Sequence, residues 1–213
     1  MTTRATMKTE ILADLRRSSA QLGSQTITAI SAAIKFYQPK RFWFNESRSV
    51  TFNTVQSQSV YTFGSTGDIT TEFYRIDGAV ITDGNDNRPM RRGDYVALET
   101  MIDADSTEDR PTRFAYIAKS LRLYHVPDAA YTVRLFGHVK LAEPAQDDTE
   151  GNDWFVEAYE LIKCRAKRYL GAHVLFDDKL VFNMTVAERE ALDPLKKATT
   201  DKTATGTLVP TQW

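Results

Sequence analysis

The sequence is short of the residue types that usually announce chemistry. Among 213 residues there is one cysteine, Cys164, which excludes an intramolecular disulfide framework and a cysteine-built zinc site. The three histidines, His125, His138 and His173, stand far apart, with no pair at helical or strand ligand spacing. No charge of one sign prevails: 27 Lys and Arg face 28 Asp and Glu, a net charge of −1. Free duplex binding draws on a dense basic face, because counterion release is its main source of affinity, so the balance argues against it. No stretch approaches the roughly 18 uncharged apolar residues of a membrane span, and MTTRATMKTE lacks the apolar core of a signal peptide. A soluble globular chain with no membrane partner is expected.

Phosphate-cradling motifs are missing as well. Gly64-Ser65-Thr66-Gly67 and Thr205-Gly206-Thr207 have no following helix with a lysine in register. Cys164 lies in an amphipathic pattern without a flanking motif, which reads as a packed thiol rather than a nucleophile. Asp83, Asn85 and Asn87 start like a calcium loop, but Arg88 stands where that loop needs glycine, so a hairpin turn is the better reading. Asp147, Asp148, Glu150 and Asp153 read as a solvated acidic loop, not a cation site. The sequence therefore predicts no catalytic residue, no metal, no cofactor and no enzyme activity.

What is present is a change of period along the chain. Ile11, Leu12 and Leu15, then Ile27, Ile30, Ile34 and Tyr37 after a break at Gly23-Ser24, repeat at helical spacing, and Pro39 ends the second helix. From Ser49 to Leu141 the period becomes two, in short β-branched and aromatic runs divided by turn residues. Asp94 reads as the N-cap of one short helix there. The runs at Arg113, Leu121 and Tyr131 are expected to form an antiparallel meander. Phe155, Tyr159, Ile162, Ala166, Tyr169 and His173 then mark a long amphipathic helix. Thr185-Val186-Ala187-Glu188 is a capping box, so a final helix is expected near Val186, kinked or restarted at Pro194. Phe42, Trp43, Phe44, Trp154 and Phe155 are expected in a core at helix junctions rather than on a base-stacking platform.

The fold class that follows is α+β: terminal helices packed as a helical bundle, with an inserted antiparallel β-rich domain. The expected limits are 1–47 plus 150–199 for the helical domain, 48–141 for the β-rich insertion, 142–153 for an acidic linker and 200–213 for an extended tail. The first half of that tail is too polar to fold alone, whereas Leu208, Val209, Pro210 and Trp213 supply late anchors. They are the candidate partner-binding residues, with Trp213 as a hot-spot plug.

Several segments together resemble one family. The Ala-Ile helix ending in Phe36-Tyr37 runs into Arg41-Phe42-Trp43-Phe44-Asn45-Glu46; Arg110-Pro111-Thr112 opens a strand; Leu121-Arg122-Leu123-Tyr124 precedes Val126 to Val133; and the Trp154 helix comes late. In order and spacing across residues 1–200 this is similar to the head-to-tail adaptor proteins of tailed bacteriophages, although Pro194 departs from an uninterrupted final helix. The resemblance implies a virion protein of the neck, assembled in the host cytoplasm. It further implies a homo-oligomeric, twelvefold ring that docks on the portal protein, meets tail or nozzle proteins and lets genomic DNA pass without sequence-specific binding. A chain of this length has a radius of gyration of about 17 Å, too small to enclose a duplex alone. Two other readings stay open from sequence: a peptidoglycan- or sugar-active module, since paired carboxylates would suffice, and a DNA-gating protein.

Overall fold

A computed structural model describes residues 3–17, 19–104, 107–142 and 152–203. They fall into two compact units, one within Met1–Phe44 and Leu141–Trp213, the other within Asn45–Lys140. Six α-helices and a mixed sheet of seven strands are present among the described residues, the α+β class that the two periods predict.

In the first unit, α1 (Arg4–Asp14) is followed by α2 (Ala20–Tyr37), whose N-cap Ser19 accepts from Leu22 N at 3.1 Å. The expected break at Gly23-Ser24 is thus misplaced. The Ser19 cap sets the start, and Gly23 continues inside α2, where an added Cβ would meet only the flexible Lys8 chain at 3.4 Å. The helix ends at its C-cap Gln38, before Pro39 as expected. The expected long helix is divided into α4 (Asp153–Val156), capped by Asn152, and α5 (Tyr159–Leu170), because the backbone leaves helical geometry at Ala158.

A π-helical turn, Gly171–Leu175, leads into α6 (Asp178–Thr203). This helix starts well before Val186. Asp177 caps it by accepting from Leu180 N at 2.9 Å, while Thr185 lies inside and donates its hydroxyl to Val181 O at 2.7 Å. Pro194 neither divides nor restarts it. Pro194 and Glu190 are both exposed, so the carbonyl deprived of its donor sits on the solvated side, where water replaces the lost bond. Buried residues of α1, α2, α4 and α5 form one cluster, with Leu192 and Leu195 of α6 packed against it. Phe42 and Phe44 stack at 5.3 Å, and Trp154, fully buried, meets Phe44 edge-on at 5.1 Å. These aromatics are core, as expected, and a residue such as Phe155 contributes about 2 kcal/mol by burial.

The second unit contains β1 (Glu46–Asn53), β2 (Val60–Thr62), β3 (Phe73–Asp83), β4 (Asp86–Arg92), α3 (Tyr95–Ala104), β5 (Arg113–Ile117), β6 (Ser120–Tyr124) and β7 (Thr132–Val139). The sheet order is β1-β7-β3-β4-β5-β6-β2. Asp94 accepts from Ala97 N at 3.0 Å and caps α3, as expected. The β3–β4 hairpin turns tightly at Gly84, φ 57°, with Asp83 opposite Asp86, so the turn reading of this segment holds.

The expected meander does not form. Only β5 and β6 make its hairpin; β7 leaves them and lies between β1 and β3. Val133, Leu135 and Val139 are buried, which suits an interior strand. Gly137 permits the close approach of β3: a Cβ there would stand 2.1 Å from Arg75 O. Strands β4 and β5 are parallel and pair only through Arg91 with Arg113 and Arg92 with Phe114.

Candidate interaction surface

Helix α6 turns Leu180, Val181, Met184, Ala191, Leu192 and Leu195 inward, and its stripe includes one carboxylate. The Glu188 side chain is 7% exposed. It accepts from Tyr37 Oη of α2, from Arg165 Nη1 at 3.3 Å and from Arg168 Nη1 at 3.0 Å, both of α5. Burial, then the bond to Glu188, pushes the Tyr37 phenol well above its usual range, so it remains a donor. Three helices therefore converge on one charged, hydrogen-bonded point.

Beside that point lies an aromatic platform. Phe36 is 44% exposed, and its ring has the Arg165 guanidinium 3.7 Å and the Lys40 ammonium 4.8 Å from its centroid. Lys35 and Arg41 are exposed nearby in sequence, and no Asp or Glu occurs between Asp14 and Glu46. The platform is aromatic and cationic.

The corner between α5 and α6 has the opposite character. Gly171 fits under α6, where a Cβ would stand 3.0 Å from Val181. Phe176 then adopts a left-handed backbone, φ 51°, and the residue is 81% exposed. Asp177 and Asp178 follow, and Phe182 and Val186, four residues apart on one face of α6, are also exposed. Bulky residues rarely take a positive φ, and large aromatics are seldom left in water.

Helix α1 is tied to α5 by charge. Lys163 Nζ lies 2.7 Å from Glu10 and 3.3 Å from Asp14, and Lys167 also bonds Asp14. Burial disfavours the Lys163 cation, but its bonds to Glu10 and Asp14 outweigh that and raise its pKa. At the far end of α6, Thr199 Oγ1 accepts from Trp43 N at 3.3 Å, and Lys202 Nζ is 3.2 Å from the Trp43 ring centroid. The helix is thus anchored immediately before the tail.

Leu208, Val209, Pro210 and Trp213, the residues nominated for partner binding, lie outside the described residues, as do Asp147, Asp148 and Glu150 of the acidic loop. Asp153 opens α4. The structure does not bring the histidines together: His138 is buried against Tyr74, while His125 and His173 lie beside Tyr124 and Tyr169. Cys164 is buried, and desolvation raises its thiol pKa, which suppresses the reactive thiolate. Among the described residues no group of three or more His, Cys, Asp or Glu is placed to hold a metal, and no helix is long and apolar enough to cross a membrane.

A polar groove runs along the edge strand β1, between Ser47 to Asn53 and Asp68 to Thr71. Its Asp68 carboxylate is occupied by Thr62 N at 2.8 Å. Sequence reasoning missed Phe176, Phe182 and Glu188. The available signals were a phenylalanine directly before Asp177-Asp178 and a glutamate spaced with the apolar stripe of α6.

No curated protein matches the chain. The profile of one family, described as SU10 adaptor protein, matches residues 2–211. The match spans both units and bears out the likeness to head-to-tail adaptors read from the order of the aromatic, strand and helix segments. The chain belongs to the SU10 adaptor protein family.

Proposed function

We propose that this chain is a structural protein of the phage virion, a head-to-tail adaptor whose copies form a twelvefold ring. The ring docks on the portal, extends the DNA channel and offers a surface to tail or nozzle proteins. The observation that carries this reading is the family match over residues 2–211. The exposed aromatic corner of α6 supports it, because isolated large aromatics are the usual anchors of protein contacts. The working parts are the discontinuous helical domain 1–47 plus 150–199, the inserted β-rich domain 48–141, the acidic linker 142–153 and the tail expected at 200–213, whose first four residues instead close α6. The tail reaches the portal through Leu208, Val209, Pro210 and Trp213 and loses its conformational freedom only on docking. Assembly takes place in the host cytoplasm, and DNA passes the lumen without sequence-specific contacts.

Mass determination in solution tests the assembly, for the chain alone and mixed with its cognate portal. A ring-sized species is expected at least in the mixture, and a monomer in both conditions overturns the reading. A chain shortened to end at Thr203 keeps the Trp43 anchors of α6 and should lose portal attachment in a pull-down. Undiminished attachment removes the tail from the proposal.

A further inference from the structure

The corner between α5 and α6 and the platform around Phe36 are each incomplete as surfaces. Phe176, at 81% exposure, and Phe182, at 69%, present two aromatic rings to water. A left-handed backbone holds the first of them outward. A residue that closes a helix in this conformation is usually Gly or Asn, so a phenylalanine carries strain there. Beside these rings Asp177 and Asp178, followed by Lys179, leave a net charge of −1 at the corner. The platform offers the reverse: a half-exposed Phe36 clamped by Lys40 and by Arg165, whose charge is already met by Glu188, with exposed Lys35 and Arg41 nearby and no acid in the sequence from 15 to 45.

Resting on the ring reading above, we infer that the α5–α6 corner of one copy seats on the Phe36 platform of the next copy. The occupant is a second copy because charge and aromatic character match across two different surfaces of the same chain. Each copy carries both halves, which is the condition for a heterologous contact that propagates from neighbour to neighbour and closes as a ring. Phe176 and Phe182 supply the desolvated centre, and the Asp pair against the Lys and Arg side chains sets the register and the rate of encounter.

Sedimentation of the full chain, with cognate portal where the free chain does not assemble, tests this. Phe176→Gly removes the ring and relieves the positive φ, so the subunit should melt no lower than the parent while associating about thirtyfold more weakly. Phe182→Ser should weaken association similarly without loss of folding. Asp178→Lys and Lys35→Asp should each impair assembly, and the chain carrying both should regain it, because each contact takes one residue from either copy. A parent that forms rings while these variants form the same rings overturns the inference and leaves the ring reading standing. Rings that form normally but fail to hold the portal would assign the corner to the portal and overturn it too, as would a charge-swapped chain that stays impaired. A parent that is monomeric with and without portal overturns both readings.

Discussion

Glu188 stands where the stripe of α6 would ordinarily carry an apolar side chain, and it is kept there by three donors on two other helices. Removing it leaves the Tyr37 hydroxyl and two guanidinium groups without their acceptor in a largely dry site. Glu188→Ala should therefore cost about 2 kcal/mol, less than for a fully buried pair because Arg168 is 37% exposed. Tyr37→Phe should cost about 1 kcal/mol, since it leaves the charge pairs intact. Chemical denaturation of the two variants measures both losses, and a Glu188→Ala variant as stable as the parent would remove the cluster from the account of α6 packing. A surface glutamate and this one look alike in a sequence. Only the inward register of α6, set by a cap eleven residues earlier at Asp177, tells them apart.

At the level of elements, α1 is held by its apolar side chains Met7 and Ile11 and by carboxylates that depend on pH. The hydrogen bond from Lys163 holds Glu10 below its ordinary value of 4.5, and that from Lys167 holds Asp14 below 3.8. A carboxylate with a depressed folded pKa stabilises the fold fully above its unfolded value and loses that contribution as pH falls through the folded one. Stability should be flat down to about pH 5 and decline below it, and Glu10→Gln should flatten part of the decline. The urea midpoint as a function of pH measures this, and an unchanged profile for Glu10→Gln would show that the decline arises elsewhere. Element type was readable from the chain because periods of two and of three to four are properties of neighbouring residues. Capping by Ser19, Asn152 and Asp177 was not, since serine, asparagine and aspartate also occur within loops and helices. The place of β7 was out of reach for a different reason. Its partners are distant in sequence, and the close approach to β3 that Gly137 permits is reported by no local pattern. The corner of α6 went unseen because sequence does not distinguish a buried phenylalanine from one at 81% exposure.

Among the described residues each unit buries apolar side chains of its own, such as Ile30 and Ile162 in the first and Phe114, Leu123 and Leu135 in the second. Ile30→Ala and Leu123→Ala should each cost about 3 kcal/mol. Hydrogen exchange should show faster amides in α2 and α5 for the first variant and in β5 and β6 for the second, each leaving the other unit near its parent rates. Acceleration spread evenly over the chain in both cases would mean a single cooperative unit.

The second unit also has a crease. Across the boundary of β4 and β5 the strands pair at two positions, Arg91 with Arg113 and Arg92 with Phe114, while β3 and β7 are paired over nearly their full length. A woven panel joined by so short a seam yields along that line before its threads stretch. Load applied to this unit would fold it like a book at Arg92, with each half keeping its own weave.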